Sequence, residues 1–252
     1  MIALVIAATA LPVVGILIVG LDVIPIRFAM MHVALLGIAV GLWTGLDPLL
    51  CGLALCGLVG AGLAPLAEHG QSLSGAAGFV MTVAIALALV VLSVAGVNAN
   101  GAYALLWGSI LATRTIDVVL IAVVCSATLV FYAARRRSIA LLLFDREIAA
   151  CSGVRVGALT LAVLVIVAVA TASAVKLTGA LLVDAVTLLP ALAARNLATS
   201  LGSAVGMAIA FGLGGNLVGF FLALALDQPP GPVMVLTAGA VTVATYLKRS
   251  SA

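Results

Sequence analysis

The sequence predicts an all-α, polytopic integral membrane protein with about eight to ten transmembrane helices. Of its 252 residues, 65% are hydrophobic and only 8% are charged, whereas soluble chains carry roughly 25% charged residues. The mean hydropathy is +1.42. The apolar residues also come in repeated runs of about 18 or more, the length that crosses a bilayer as a helix. A transmembrane barrel would show short alternating segments instead.

Nine hydrophobic runs define the predicted spans, which together form one transmembrane domain, residues 1–252. The first run lacks a preceding basic region and is followed by further spans, so we interpret it as a retained helix rather than a cleaved signal peptide. A polar loop at 97–102 and a short amphipathic piece at 105–113 precede the fifth run. The predicted spans are residues 2–20, 28–43, 48–65, 75–95, 116–132, 156–175, 176–196, 203–226 and 233–247.

Basic residues cluster in the loop after the fifth predicted span and at the C-terminal end of the chain. The positive-inside rule places both clusters in the cytoplasm. The four predicted spans between them agree, because an even number returns the chain to the same side. The clustered residues are Arg135, Arg136, Arg137, Arg146, Arg155, Lys248 and Arg249.

The seventh predicted span, residues 176–196, carries Asp184 near its middle. A carboxylate at that depth costs a few kcal/mol to insert, and such residues mark ion paths or paired polar sites. Two alternatives remain open: Asp184 binds a transported ion, or it pairs with a buried partner such as Arg27, Thr187 or a backbone amide. Arg27 itself, just before the second predicted span, either holds an inner gate or extends to the lipid headgroups, and we expect the second.

Residues 138–153 form a charged, non-spanning segment on the cytoplasmic side, interpreted as a short amphipathic helix lying at the membrane surface. It is either an interfacial linker or a docking element, in which two apolar side chains anchor a partner and three charged ones orient it. The candidate docking residues are Leu143, Phe144, Asp145, Arg146, Glu147 and Gly153.

Four stretches resemble the permease subunits of bacterial ATP-binding-cassette importers for zinc, manganese and iron. The run LFDREIAACSGV is similar to the family's coupling helix, and residues 106–118 resemble the approach to it. Residues 178–200 resemble the family's GxLLVxALLxxPAATARxLA hairpin, and residues 219–236 resemble its xSxxLDxPxGPxIVL segment. Among the matched residues, those expected to have a structural role in these segments are Gly179, Pro190, Gly231 and Pro232.

The resemblance implies a permease of the bacterial plasma membrane that forms a homodimer on two ATPase subunits. An extracytoplasmic metal-binding protein would deliver the substrate, and the coupling helix would transmit ATPase closure to the spans. The sequence contains no GxxxxGK[ST] motif, so ATP hydrolysis is expected on a separate chain. We expect no catalytic residue, no permanently bound cofactor and no nucleic-acid partner.

The family's metal-binding pattern on the second span, DAxSHAxLPG, is only half present. The matching run is RFAMMHVALLG, in which His32 and Gly37 align but Phe28 replaces the Asp and Leu36 replaces the Pro. His32 is either a metal ligand or a hydrogen-bonded structural residue of the helix. We hypothesise that Asp184 supplies the missing carboxylate and forms a transient site with His32. Imidazole and carboxylate ligands suit zinc, manganese or iron(II).

Other function classes remain as alternatives. A stand-alone channel or secondary carrier would be expected to show inverted repeats, and none is clear. An intramembrane metalloprotease would need an HExxH helix or a similarly dense ligand set, which the sequence lacks. An ABC permease for a non-metal substrate also remains open, because half of the expected ligand pair is missing.

Overall fold

The all-α prediction is confirmed. The computed structural model describes residues 2–68, 73–97 and 115–250, which contain helices and turns but no strand. The predicted amphipathic piece at 105–113 and most of the loop at 97–102 lie outside the described residues. The helices, numbered in chain order, are α1 (Ile2–Gly20), α2 (Ile24–Thr44), α3 (Pro48–Glu68), α4 (Leu73–Val94), α5 (Thr115–Phe144), α6 (Arg146–Cys151), α7 (Val156–Val186), α8 (Leu188–Leu197), α9 (Leu201–Ala225) and α10 (Pro230–Ser250).

Seven of the described helices are long and apolar enough to cross a membrane, and the apolar part of α1, Val5–Gly20, is slightly shorter. Helices are expected here because hydrocarbon offers no partners to the backbone, which must satisfy its own hydrogen bonds. The centre of the bundle is formed by α2 and the first part of α7, Val156–Val175, whose residues are mostly buried. In contrast, α4, α5 and α10 expose most of their apolar residues at the periphery.

The central helices are held by their neighbours on several sides. Helix α2 packs against α3, α4 and α7, and α3 also packs along α7. Helix α1 packs against α5, α8 and α9, while α9 and α10 form an antiparallel hairpin. Among the described residues, the larger of two buried clusters runs through α1, α2, α7 and the beginning of α8, and a small second one joins α1 to α5.

Several arginines lie at one end of the bundle. Leu143, near the end of α5, packs against Gly20 at the end of α1. The start of α9 lies beside Arg136 and Arg137 of α5, and the end of α8 lies beside Arg249 of α10. We call this the basic end; its defining residues are Arg136, Arg137, Arg195 and Arg249. The turns that contain Asp47 and Asp227 lie at the opposite end.

Turn chemistry fixes the α2–α3 connection. Gly45 ends α2 with φ at 75°, a left-handed conformation that costs glycine little. The Asp47 carboxylate then accepts hydrogen bonds from the backbone N–H groups of Leu49 and Leu50 at 2.9 and 3.1 Å. Pro48 begins α3, where its missing N–H would be unpaired in any case.

The fifth predicted span was too short. It was expected to end at residue 132, but α5 continues through the arginine triplet to Phe144. Arginine is a good helix former, and two later residues, Ile139 and Leu142, are still buried in the bundle. Because these residues retain an apolar face to pack, the helix extends. The segment 138–153 is therefore not one surface helix: only Arg146–Cys151 forms a separate short helix.

The prediction of a separate seventh span was also wrong. Residues 176–196 do not form one helix, since α7 runs from Val156 to Val186 and α8 begins at Leu188. Pro190 explains the break: its ring clashes with the carbonyl four residues earlier and it has no N–H to donate, so it is tolerated only in the first turn of a helix. Thr187 lies between the two helices, with φ −101° and ψ −62°. Asp184 thus lies two residues before a helix end.

Glycine allows α2 and α3 to pack with their backbones in contact. A Cβ atom added to Gly37 would lie 2.5 Å from the Gly52 Cα atom. This is far closer than real Cβ contacts, and the neighbour is backbone that cannot rotate away. Such small residues permit close helix approach in lipid, where packing drives association.

We predict that Gly37→Ala destabilises the protein by about 1–3 kcal/mol, the range for overpacking a tight contact. The measurement is the thermal unfolding midpoint of the detergent-purified chain. Gly62→Ala on α3 is the matched control, because no atom lies within 4 Å of its added Cβ. Equal midpoints for the two variants would contradict the packing interpretation.

Candidate functional site

A buried ion pair joins the two central helices. The Arg27 Nη1 atom of α2 contacts the Asp184 Oδ1 atom of α7. The Arg27 side chain is fully buried, whereas 28% of the Asp184 side chain remains exposed. Of the two alternatives for Asp184, pairing with Arg27 is therefore what the structure shows in this conformation. The residual exposure leaves the aspartate accessible on one side.

Arg27 does not extend to lipid headgroups, contrary to expectation. Helix α2 begins at Ile24 rather than at residue 28, because Pro25 fits the first helical turn. Arg27 therefore lies in the helix with its side chain directed inward. Its guanidinium carbon also lies 5.0 Å from the centre of the Phe28 ring, which is within range of a cation–π attraction.

The ion pair does not use all of the arginine's donors. Among the described residues, the buried Arg27 Nε and Nη2 atoms have no hydrogen-bond partner. An Arg–carboxylate pair is strongest when two parallel N–H···O bonds form. Because Arg27 contacts Asp184 only through Nη1, its Nε–H and Nη2–H groups remain available to donate to other acceptors.

His32 lies one helical turn after Phe28 on the same face of α2. Its Nδ1 atom is 2.9 Å from the Phe28 carbonyl oxygen. A carbonyl only accepts hydrogen bonds, so Nδ1 must carry the proton and the neutral ring has its lone pair on Nε2. This backbone bond is the arrangement that orients metal-binding histidines. His32 is half-buried and makes no ion pair or hydrogen bond to Asp184 here.

The two predicted metal ligands thus lie on adjacent helices without forming a closed site. No group of three or more His, Cys, Asp or Glu residues that could hold a metal occurs within residues 2–68, 73–97 and 115–250. Asp184, His32 and Arg27 together offer one carboxylate, one imidazole with a free Nε2 lone pair, and one guanidinium. The assignment of His32 and Asp184 as metal ligands stays a prediction.

The helix end after Asp184 is fixed by contacts with α1. Thr187 is fully buried, and its hydroxyl and backbone N–H both donate to the Val183 carbonyl. A Cβ atom added to Gly15 of α1 would lie 2.0 Å from the Thr187 carbonyl oxygen. Only glycine therefore allows α1 to approach the break between α7 and α8.

Asn216 is a functional-site neighbour that was missed in the sequence. It is fully buried in α9, and its Nδ2 donates to the carbonyl of Ala185, the residue after Asp184, at 3.4 Å. It also donates to the Gly212 carbonyl at 2.6 Å. An asparagine inside an apolar 25-residue helix was the available signal, since polar side chains in spans bond across helices.

The short helix α6 is defined by its two ends. The Asp145 carboxylate accepts hydrogen bonds from the backbone N–H groups of Glu147 and Ile148 at 2.7 and 3.0 Å, so it caps the helix. Gly153 follows the helix with φ at 78°, and the Val154 N–H returns to the Ala149 carbonyl at 3.1 Å. This is the glycine-ended stop common to helices. Asp145 and Gly153 thus shape the segment.

The two predicted apolar anchors of this segment face different environments. Leu143 packs against Gly20 of α1, so it attaches α5 to the bundle. Phe144 is 80% exposed, and Ile148, one turn further along the chain, is 46% exposed. Ile148 was not singled out in the sequence. The Arg146 Nη2 atom bonds the Thr160 hydroxyl of α7 at 3.3 Å, which connects the segment directly to the next helix.

The hairpin residues identified from the sequence have separate structural settings. Gly179 lies within α7, and Pro190 is buried in the first turn of α8. Gly231 and Pro232 lie in the first turn of α10, directly after a turn in which Asp227 has φ at 53°. The Gln228 N–H closes this turn on the Ala223 carbonyl at 3.0 Å.

We predict that Asp184→Leu alone destabilises the protein by about 3–5 kcal/mol, because it leaves a buried guanidinium without its counter-ion. The double change Arg27→Met with Asp184→Leu should restore most of that stability, since an apolar pair of similar volume replaces the ions. Thermal unfolding of both variants and of Arg27→Met alone completes the cycle. Additive effects of the two single changes would show that the side chains do not interact.

Comparison with known proteins places the fold in context. A "Probable metal transport system membrane protein" of Thermotoga maritima is 27% identical over 207 residues, covering 82% of this chain and 73% of that protein. The high-affinity zinc uptake system membrane protein ZnuB of Haemophilus influenzae is 23% identical over 222 residues, covering 86% and 84%. The manganese transport system membrane protein MntC of Listeria monocytogenes is 25% identical over 225 residues, covering 87% and 78%.

The fold is also that of a solved structure. PsaBC from Streptococcus pneumoniae, in complex with Fab, superposes with a TM-score of 0.85 at 23% identity, covering 97% of this chain and 88% of that one. The profile of the ABC 3 transport family matches residues 1–249, nearly the whole chain. The predicted resemblance is thereby confirmed, and this chain belongs to the ABC 3 transport family as a membrane permease subunit of an ABC transporter.

Proposed function

We propose that this permease imports a divalent transition-metal cation, zinc or manganese foremost and iron(II) by the same chemistry. The relatives named above belong to zinc and manganese systems. The observation that carries the proposal is that Asp184, 28% exposed, contacts Arg27 of α2, the helix that also carries His32. A carboxylate oxygen and an imidazole nitrogen are ligands that both zinc and manganese accept.

A transported ion must leave its site as readily as it enters. Two ligands from each protomer, His32 and Asp184, would hold the ion weakly compared with a closed tetrahedral cage. In the conformation described here Arg27 neutralises Asp184. A cation arriving at Asp184 would displace the guanidinium, whose position over the Phe28 ring offers it a second electrostatic contact. The same guanidinium would then compete with the ion and favour its release.

The basic end defines the proposed orientation. Arg136, Arg137, Arg195 and Arg249 lie together at one end of the bundle, and the acidic turns at Asp47 and Asp227 lie at the other. By the positive-inside rule, the basic end, with the C-terminus, lies on the cytoplasmic side of a bacterial inner membrane. This arrangement leaves the acidic end to receive an extracytoplasmic metal-binding protein.

The short helix α6 is the proposed contact with the ATPase subunit. It lies at the end of α5, beyond the arginines of the basic end, with Phe144 and Ile148 exposed. An exposed aromatic side chain on a capped, rigid turn is suited to filling a cleft on a partner. Because Arg146 bonds Thr160 of α7, movement of this segment would reach the helix that carries Asp184.

A homodimer on two ATPase subunits completes the proposed importer, since two copies bring two such sites together.

The metal site is tested by uptake of zinc and manganese into vesicles that contain the permease, its ATPase and its binding protein. We expect His32→Ala, and the neutral-pair variant Arg27→Gln with Asp184→Asn, each to reduce uptake at limiting metal by roughly tenfold or more, as loss of a ligand does. Arg27→Gln alone keeps the carboxylate but removes its competitor. In this variant, ATPase activity should be stimulated at a lower metal concentration than in the unchanged protein.

Gly62→Ala serves as the control for handling and membrane insertion, since its added Cβ atom would have no neighbour within 4 Å. Uptake by the neutral-pair variant equal to that of the unchanged protein, at equal protein levels, would falsify the role of Asp184. The ion pair would then be structural.

The coupling contact is tested by copurification of the ATPase and by ATP hydrolysis in the assembled complex. We expect Phe144→Ala to weaken ATPase binding by about 2 kcal/mol or more if it is a buried anchor, with Ile148→Ala weaker in effect. Phe221→Ala on α9 is the matched control, because that side chain is likewise exposed (58%) but lies on a spanning helix. A similar loss of ATPase binding in both phenylalanine variants would contradict a specific docking role.

A further inference from the structure

A groove opens between the later part of α5 and the first two turns of α9, at the basic end. It encloses a cavity of about 420 Å³. One wall carries Tyr132, Arg136 and Arg137 of α5, and the other carries the apolar residues Leu201 and Val205 of α9. The groove therefore joins two guanidinium groups and a phenol to an apolar surface.

The length of α5 indicates at which level of the membrane this groove lies. The 20 residues from Thr115 to Ala134 rise about 30 Å as a helix, which matches the hydrocarbon thickness of a bilayer. The arginine triplet that follows lies at the level of the lipid headgroups. Helix α5 continues to Phe144, so α6 projects beyond that level and the groove remains beside the headgroups.

A second groove at the same end has the same chemistry. It lies between the end of α8 and the last turns of α10 and encloses about 510 Å³. Arg195 and Arg249 supply two guanidinium groups, Tyr246 supplies a phenol, and Leu192 and Val243 supply apolar contacts. Three residues separate α8 from α9, so both grooves open at one level of the bundle.

We propose that these two grooves bind the headgroups of anionic phospholipids in the cytoplasmic leaflet. Arginine forms paired hydrogen bonds to phosphate oxygens, and tyrosine is favoured at the membrane interface because its ring is apolar and its hydroxyl is polar. The apolar walls fit the glycerol and the first acyl carbons, which free phosphate does not possess. Basic pockets between spans on the cytoplasmic side are suited to such lipids.

The test compares the assembled transporter in nanodiscs of phosphatidylcholine alone with nanodiscs that also contain phosphatidylglycerol. Native mass spectrometry counts the phosphatidylglycerol molecules retained, and thermal unfolding reports stabilisation. We expect retained lipid and a higher unfolding midpoint in the unchanged protein. Arg136→Gln with Arg137→Gln should weaken retention roughly fivefold for each arginine removed, and so should Arg195→Gln with Arg249→Gln.

The control, Arg135→Gln with Arg155→Gln, removes the same charge from residues that do not line either groove, and it should retain the lipid. Equal loss in this control would overturn the proposal in favour of a diffuse charge effect. Loss of ATPase copurification without any dependence on phosphatidylglycerol would overturn it in favour of a protein contact. Inorganic phosphate added to phosphatidylcholine nanodiscs should give no stabilisation; stabilisation equal to that by phosphatidylglycerol would identify a phosphate site instead.

Discussion

The buried ion pair between Arg27 and Asp184 is the interaction on which the arrangement of the central helices depends. Arg27 is fully buried, so separating it from Asp184 with no replacement would leave an uncompensated charge in a low-dielectric interior. Helices α2 and α7 must therefore be held in one register. The contacts around Asp184 serve this purpose: Gly15 lets α1 approach the Thr187 carbonyl, and Asn216 bonds the Ala185 carbonyl from α9.

Helix α7 connects the two ends of the proposed mechanism. Its first turns are joined to α6 through Arg146 and Thr160, and its last turn carries Asp184. If α6 docks on an ATPase subunit as proposed, its movement would act on the helix that carries Asp184. A small shift of α7 would change the distance between the Asp184 carboxylate and the Arg27 guanidinium.

Individual residues show why the sequence predicted the class of the protein better than its helix boundaries. Pro190 was matched to a family hairpin, yet the run around it was interpreted as one span because its length and hydropathy fit a bilayer. The break at Thr187 depends on where the proline falls relative to the packing of α1. The arginine triplet was interpreted as the end of a helix, but Ile139 and Leu142 continue to pack, so α5 continues. Asp145 was interpreted as a docking charge, which stays a prediction, and its role as a helix cap was not foreseen.

By itself, the sequence determined that this is a helical membrane protein, that it belongs with metal-importer permeases, and that Asp184 needs a special environment. Those conclusions follow from hydropathy and from motif spacing, which are local properties of the chain. The partner of Asp184, the inward direction of Arg27 and the gathering of four arginines into two grooves were decided by the tertiary structure. They depend on which helices lie side by side, and uniform apolar helices carry little information about their neighbours because lipid solvates every apolar face alike.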